Sequence, residues 1–313
     1  MLHISWRRKD MDSYLMRWFS IYTIFISFYF ILNFYWHTQD LENNLTNLCI
    51  ICRELSSRDQ SINDNTSKIT ILCFVLEIFF FVLMMVAELL MVVKNDIQFD
   101  WSVYPMIHSA RLFDILFQAF YLHISVKRLI LMKTILHFCK NTDDFENVRD
   151  IVDVRFKLNR NNQDFIDFFA GSIIIRCGFS AFSILLDIYS AFQLFVSKDT
   201  YEPIASGLIL SSDLLVQIFT VSIFICFGMG FADKSKETVE VINDKQRKLG
   251  RNNLPYKSME LFLLNSKLNH LDVSVGGFFP LNWTLIYSMV SCISTYLVYL
   301  IQFREVEMQK KSD

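Results

Sequence analysis

The sequence predicts an all-α, polytopic helical membrane protein, and three observations carry that prediction. Apolar residues fill 53% of the 313 positions, and the mean hydropathy is +0.32. Turn formers are scarce, with Gly at 8 and Pro at 4, whereas Phe alone contributes 31. The net charge is only −2, yet Lys and Arg collect in a few connections between apolar runs. Long helices with little loop explain the first two observations, and membrane topology explains the third.

A membrane helix needs roughly 20 mainly apolar residues. Such runs occur at 17–36, 69–93, 101–126, 165–195, 204–231 and 279–303, so about six spans are visible. Charge interrupts the third and fourth. The first run is longer than the apolar core of a secretory signal, and no small-residue cleavage site follows it. Three connections are basic: 37–68, 127–163 (Lys127 and Arg128 through Arg160) and 232–278 (Lys234 through Lys267). The short 94–100 and 196–203 connections carry only Lys94 and Lys198. The positive-inside rule sets the basic connections in the cytosol and the tail after Phe303 outside. A G-protein-coupled receptor keeps its C-terminus inside, so this topology argues against that class. The same assignment puts Arg7, Arg8, Lys9 and Arg17 outside, which points to one further span before residue 1.

The basic connections continue the helices. Ile130, Leu131, Ile135 and Leu136, then Val148, Ile151 and Val152, recur at helical spacing. Residues 255–270 open with Pro255, a good first helical residue, and continue Met259, Leu261, Phe262, Leu263, Leu264 and Leu268. Helices are therefore expected to pass out of the bilayer and pack together in the cytosol. The Asn-rich stretches 59–66, 141–147 and 249–253 read as loops.

Catalysis finds no support. The six histidines (His3, His37, His108, His123, His137, His270) are scattered, and no HExxH, GxSxG or phosphate-binding Gly loop occurs. Cys49-Ile-Ile-Cys52 has CxxC spacing but no second pair. Cys73, Cys177, Cys226 and Cys292 lie in apolar stretches and read as small buried hydrophobes. No enzyme activity, metal or cofactor is expected, and the charge balance gives no nucleic-acid partner. Asn65-Thr66-Ser67 is a glycosylation sequon in a connection assigned to the cytosol; sugar on Asn65 would overturn the topology.

Polar residues within the spans are the candidate sites. Gln302 lies three residues from Tyr299 and seven from Thr295, so the three share a helical face, with Phe303 beside them. Either this face packs on a neighbouring span, or it faces an ion path. Charge within a bilayer costs roughly 2.5–3.5 kcal/mol on insertion scales and so turns to the interior, to a cavity or to the interface. Glu88, His108, Arg111, Asp114, Asp187 and Asp213 fall in the outer halves of their spans. Arg111 and Asp114, three apart, are expected to pair with each other. The others either make interhelical bonds or line a polar pocket with Trp101, Tyr104, Tyr189, Ser211 and Ser212. Glu77 and Arg176, nearer the inner half, read as structural.

The last 50 residues carry a resemblance. Leu261-Phe262-Leu263-Leu264 is followed by Gly276-Gly277-Phe278-Phe279-Pro280-Leu281-Asn282, then by Thr295-Tyr296, five apolar residues and Gln302-Phe303. This resembles the C-terminal pattern of insect gustatory receptors. The chain has Asn265 where the family often has Gln. The resemblance implies the insect chemoreceptor (gustatory/odorant receptor) fold with seven spans, of which the first is missing here. It implies a tetrameric, tastant-gated, non-selective cation channel in the plasma membrane of sensory neurons. Its partners would be a small-molecule tastant, the permeating cations, the lipid bilayer and other gustatory receptor subunits. Residues 1–231 would form the ligand-sensing bundle, 232–278 the cytosolic anchor segment, 279–303 the pore-lining helix and 304–313 a short external tail. Thr295, Tyr296, Tyr299, Gln302 and Phe303 would form the pore and gate. Glu88, Trp101, Tyr104, His108, Arg111, Asp187, Ser212 and Asp213 are the pocket candidates. Competing readings are a truncated or accessory subunit without channel activity, and a polytopic transporter or membrane enzyme. The near absence of broken helices and mid-membrane charge constellations counts against the last.

Overall fold

Three uninterrupted helices dominate the molecule, and none has a proline beyond its first turn. The structure, a computed structural model, describes residues 31–57, 104–141, 145–196, 203–249 and 274–312, with parts of 25–29 and 68–86. Its elements are α1 (Thr38–Ser56), α2 (Tyr104–Asn141), α3 (Phe145–Val196), α4 (Pro203–Leu249), strands β1 (Ser274–Val275) and β2 (Phe279–Pro280), and α5 (Trp283–Ser312). Helical residues 31–36 lead into α1, and a shorter apolar helix covers Ile71–Leu83. Pro203 opens α4, and Pro105 lies in the first turn of α2, where a missing N–H costs nothing. The N-terminal charges, the sequon at Asn65, the 94–100 connection and the anchor segment 255–270 lie outside the described residues.

Helix length separates membrane from extension. At about 1.5 Å per residue, α2, α3 and α4 reach about 57, 78 and 70 Å, well beyond the roughly 30 Å hydrocarbon core of a bilayer. α2 and α3 turn back within three residues of each other, so the loop expected at 141–147 is shorter than its polarity suggests: Phe145, Glu146 and Asn147 are already helical. The expected packing of the extensions is present. Leu131, Ile135, Leu136 and Ile151 are buried, and Ile130 and Val152 pack against them. On the rim of this region Glu237 accepts from Lys140 at 2.7 Å and from Lys234 at 2.6 Å, tying α2 to α4; as a partly exposed pair it adds little stability.

The abundant phenylalanines meet where residues 31–36, α2, α3 and α4 converge. Phe34 is edge-on to Phe117 and Phe168, with centroids 6.2 and 6.0 Å apart. Phe165 and Phe169 are 4.7 Å apart, and Tyr121 meets Phe224 at 4.9 Å. Such edge-to-face pairs contribute about 0.5–1.5 kcal/mol each beyond area burial. Cys226 and Cys292 correct the reading of buried cysteines: both are exposed on the protein surface, whereas Cys177 is buried as expected.

The Gly276-Gly277-Phe278-Phe279-Pro280-Leu281 motif folds into a hairpin not foreseen in the sequence. Ser274 pairs with Pro280 and Val275 with Phe279. Gly276 and Gly277 have φ of 53° and 73°, and Phe278 donates to Val275 O at 3.0 Å. Two consecutive positive φ angles make a type I′ turn, which favours Gly at both central positions. Val275 and Leu281 enter the core, and Leu281 seats on Gly228 of α4, where an added Cβ would meet its own at 3.0 Å. The last apolar helix therefore starts at Trp283, after the hairpin, and not at 279.

Candidate functional site

α5 is built unlike the other long helices. The most apolar stretches of α2, α3 and α4 are 44–50% buried in the chain; that of α5 is 0% buried. Its own-chain face is nonetheless defined. Leu285, Ile286, Met289, Ile293, Leu297 and Leu300 are half-buried and repeat every three or four residues. The opposite face carries Thr284, Ser288, Ser291, Thr295, Tyr299 and Gln302, all exposed. From Thr284 to Gln302 this stripe runs about 27 Å at about 1.5 Å per residue. Ser288 and Thr295 return their hydroxyl protons to Thr284 O and Ser291 O, each at 2.9 Å, so the helix satisfies its own hydroxyls. Tyr296 and Phe303 flank the stripe, the latter 72% exposed.

α5 thus turns an apolar face towards its own bundle, and its outward face mixes the polar stripe with exposed Tyr287, Val298 and Val306. A helix lying alone against lipid does the reverse. Thr295, Tyr299 and Gln302 share one exposed face of α5, and among the described residues no span of the same chain packs on it. Thr284, Ser288 and Ser291 extend the same face and were not singled out from sequence. Their 3.6-residue recurrence was the available signal.

Inside the bundle, polar side chains pair between helices. Thr220 of α4 donates to Gln118 of α2 at 3.1 Å, and Ser180 of α3 donates to Gln217 of α4 at 2.8 Å. Arg176 of α3 is buried and forms an ion pair with Asp114 of α2. This replaces the expected Arg111–Asp114 pairing: the i, i+3 relation on one helix yields to an interhelical partner that is itself buried.

The pocket candidates are only partly brought together. Asp187 of α3 and Asp213 of α4 face each other within hydrogen-bonding reach, and Ser212, the residue before Asp213, is buried. Arg111 is half-buried on α2. Tyr104 and His108 belong to α2, but their side chains, like Glu88 and Trp101, lie outside the described residues.

The opposite, basic end holds a buried polar knot. Arg128 is 0% exposed, donates from Nε and NH2 to Asn161 Oδ1 at 3.1 and 3.0 Å and from NH2 to Asn44 Oδ1, and lies 3.9 Å over the Phe165 ring. Asn44 and Asn161 exchange side-chain bonds to each other's backbone carbonyls at 2.9 and 2.7 Å. Arg155 donates to Ser235 O and Oγ at 3.1 and 3.0 Å. Beside the knot, a cavity of about 520 Å³ opens between residues 29–47 and the start of the α3 span, lined by Asn33, Asp40, Asn44, Asp164 and Asp167. Tyr29 closes one wall by packing on Gly171, where a Cβ would strike its hydroxyl.

Long helices that pass from an apolar region into a packed extension, with a last helix turned outward, define an all-α membrane protein of the insect chemoreceptor fold. The structure superposes on the insect olfactory receptor OR5 from Machilis hrabei with a TM-score of 0.66 at 13% identity, covering 91% of this chain and 80% of that one. A second structure of that receptor, in complex with eugenol, gives a TM-score of 0.50 at 13% identity over 86% and 69% of the two chains. Residues 3–307 match the family described as 7tm Chemosensory receptor, and the chain belongs to that family. It is also similar to gustatory receptor 68a of Drosophila melanogaster, 25% identical over 182 residues, which covers 57% of this chain and 46% of that receptor. The matched segment is thus less than half of that receptor's length.

Proposed function

We propose that this chain is a subunit of a tastant-gated, non-selective cation channel whose pore is lined by α5. The observation that carries the reading is the inverted polarity of that helix. An apolar back packed on its own chain and a polar stripe turned outward fit a helix that meets copies of itself around an aqueous path. Four such stripes would ring the path with Gln302 amides, which replace part of an ion's hydration, beside Phe303 rings that close it by dewetting.

The gustatory relative supports a taste role, and the eugenol complex of the olfactory receptor supports a small organic ligand. The ligand would enter the bundle away from the basic end, among Glu88, Trp101, Tyr104, His108, Arg111, Asp187, Ser212 and Asp213. Binding there biases a closed–open equilibrium by its differential affinity for the two states. α5 then tilts or rotates to withdraw Phe303 and expose Gln302. The charge distribution supports an orientation with the basic end in the cytosol and the C-terminus outside the plasma membrane of a sensory neuron. Subunits assemble as homo- or hetero-tetramers.

Patch-clamp recording from cells expressing the chain, alone and with related receptors, tests this. Gln302→Ala is expected to change relative cation permeability, and Phe303→Ala to raise ligand-independent current. Unchanged permeation and gating in both variants would refute the pore assignment.

A further inference from the structure

The chain after Phe303, expected as a short tail, is helical to Ser312 and continues α5 without a break. α5 therefore runs for 30 residues, whereas its apolar segment ends at Phe303. At about 1.5 Å per residue, residues 304–312 carry the helix about 13 Å beyond that segment. The outward face continues with them. Glu305 lies three residues after Gln302, the same step that separates Tyr299 from Gln302. It is thus about 60° around the axis from Gln302 and about 4.5 Å further along it. Gln309 follows seven residues after Gln302, and both Glu305 and Gln309 are exposed. Among the described side chains of α5, Glu305 alone is charged.

The rest of the stripe is neutral. A Gln302 amide offers an oxygen to a cation and an NH2 group to an anion, so a ring of amides does not by itself separate the two. Ser288 and Thr295 return their hydroxyl protons to the helix. Discrimination by sign needs net charge beside the path, and rings of carboxylates supply it in cation channels. The place of Glu305 suits that task. Just past the apolar segment a carboxylate keeps its water and avoids the cost of a charge in hydrocarbon. It is still well within a Debye length, about 10 Å at 0.1 M salt, of the Gln302 level. Low-dielectric walls around a narrow mouth focus such a field and enrich the counter-ion there. We infer that Glu305, repeated around the assembly, forms a carboxylate ring at the mouth of the path that admits cations over anions. The inference rests on the pore reading of α5 given above, and it adds the residue that sets the sign of the permeating ion.

The test records reversal potentials across a sodium chloride gradient in cells expressing the full chain, alone and with related receptors, which gives the cation-to-anion permeability ratio. Glu305→Gln, a nearly isosteric change at an exposed position, is expected to lower that ratio by at least about tenfold, the low end of the enrichment a charged cleft gives. Glu305→Lys should lower it further, and Glu305→Asp, which keeps the charge, should keep the ratio. The conductance lost in Glu305→Gln should be largest at about 0.01 M salt and vanish at about 1 M, as the Debye length falls from about 30 Å to about 3 Å. A wild-type ratio in Glu305→Gln, or a loss that is the same at both salt concentrations, overturns the inference. Gln302→Ala separates it from the pore reading. Altered selectivity among cations in that variant, beside a wild-type ratio in Glu305→Gln, leaves the pore and removes the ring. Unchanged permeation in both variants, or no current at all, removes both.

Discussion

Arg128 carries a buried charge, and among the described residues the side-chain oxygens that accept from it belong to two asparagines and to no carboxylate. Its hydrogen bonds go to Asn161 and Asn44, which also bond each other's backbone, so the guanidinium is held between three helices while its Nη1 makes no hydrogen bond. Removing one acceptor from a buried cation costs more than removing the cation and its acceptor together. Asn161→Leu is therefore expected to destabilise the protein by roughly 3 kcal/mol. The double variant Arg128→Leu/Asn161→Leu should be more stable than Asn161→Leu alone. Chemical unfolding of the purified variants, arranged as a double-mutant cycle, measures this; a double variant less stable than either single would show that the knot is not organised around the charge. In the sequence Arg128 and Arg155 are two more basic residues of a cytosolic connection, and nothing local marks them as buried. Arg111 and Asp114 illustrate the same blindness. Their spacing on one helix was legible, but the competing partner Arg176 sits 62 positions further on and becomes visible only when α3 packs on α2.

At the level of elements, the helices were legible because their signal is local and repeated. Apolar periodicity through Leu131, Ile135 and Ile151 announced that α2 and α3 continue beyond the membrane, and those residues are buried where the extensions meet. The hairpin was not legible. Gly276 to Leu281 can be read as a motif, but its shape depends on two positive φ angles and on the seat that Gly228 offers to Leu281. This seat explains why the turn precedes the last helix: it fixes the chain entering α5 on α4, and α5 then runs with its apolar back along α3. Gly276→Ala and Gly277→Ala should each cost about 1–2 kcal/mol, the price of a left-handed conformation for an L residue. Gly228→Val should unseat Leu281 without touching the turn. All three variants are expected to increase proteolytic cleavage near residue 276 in the folded protein, and the Gly228→Val result separates loss of the seat from strain in the turn. Wild-type resistance in all of them would mean that the hairpin does not anchor the helix.

At the scale of the whole molecule, α5 decides between a chain that is complete by itself and one that needs copies. Ser288 and Thr295 bond back to their own helix, so the cost of resting its polar stripe against lipid tails falls on the Gln302 amide and the Tyr299 hydroxyl, which would lose their water in hydrocarbon. If the stripe lines an aqueous path in the assembly, single cysteines placed along it must react with charged, membrane-impermeant thiol reagents. Cysteines on the half-buried back of the same helix must not. The exposed native cysteines Cys49, Cys226 and Cys292, the last of them on α5, have to be replaced by Ser first. In that background Ser291→Cys and Thr295→Cys are expected to be modified, with a change in current through the channel. Ile293→Cys and Leu297→Cys, on the face that packs against the chain's own bundle, are expected to stay unmodified. Alternation with a period of about 3.6 residues is the outcome that a pore-lining helix requires. Uniform protection would place the stripe against another protein surface, and uniform modification would mean that α5 is not embedded. The experiment thus reads the environment of one helix face directly, independently of which ligand opens the path.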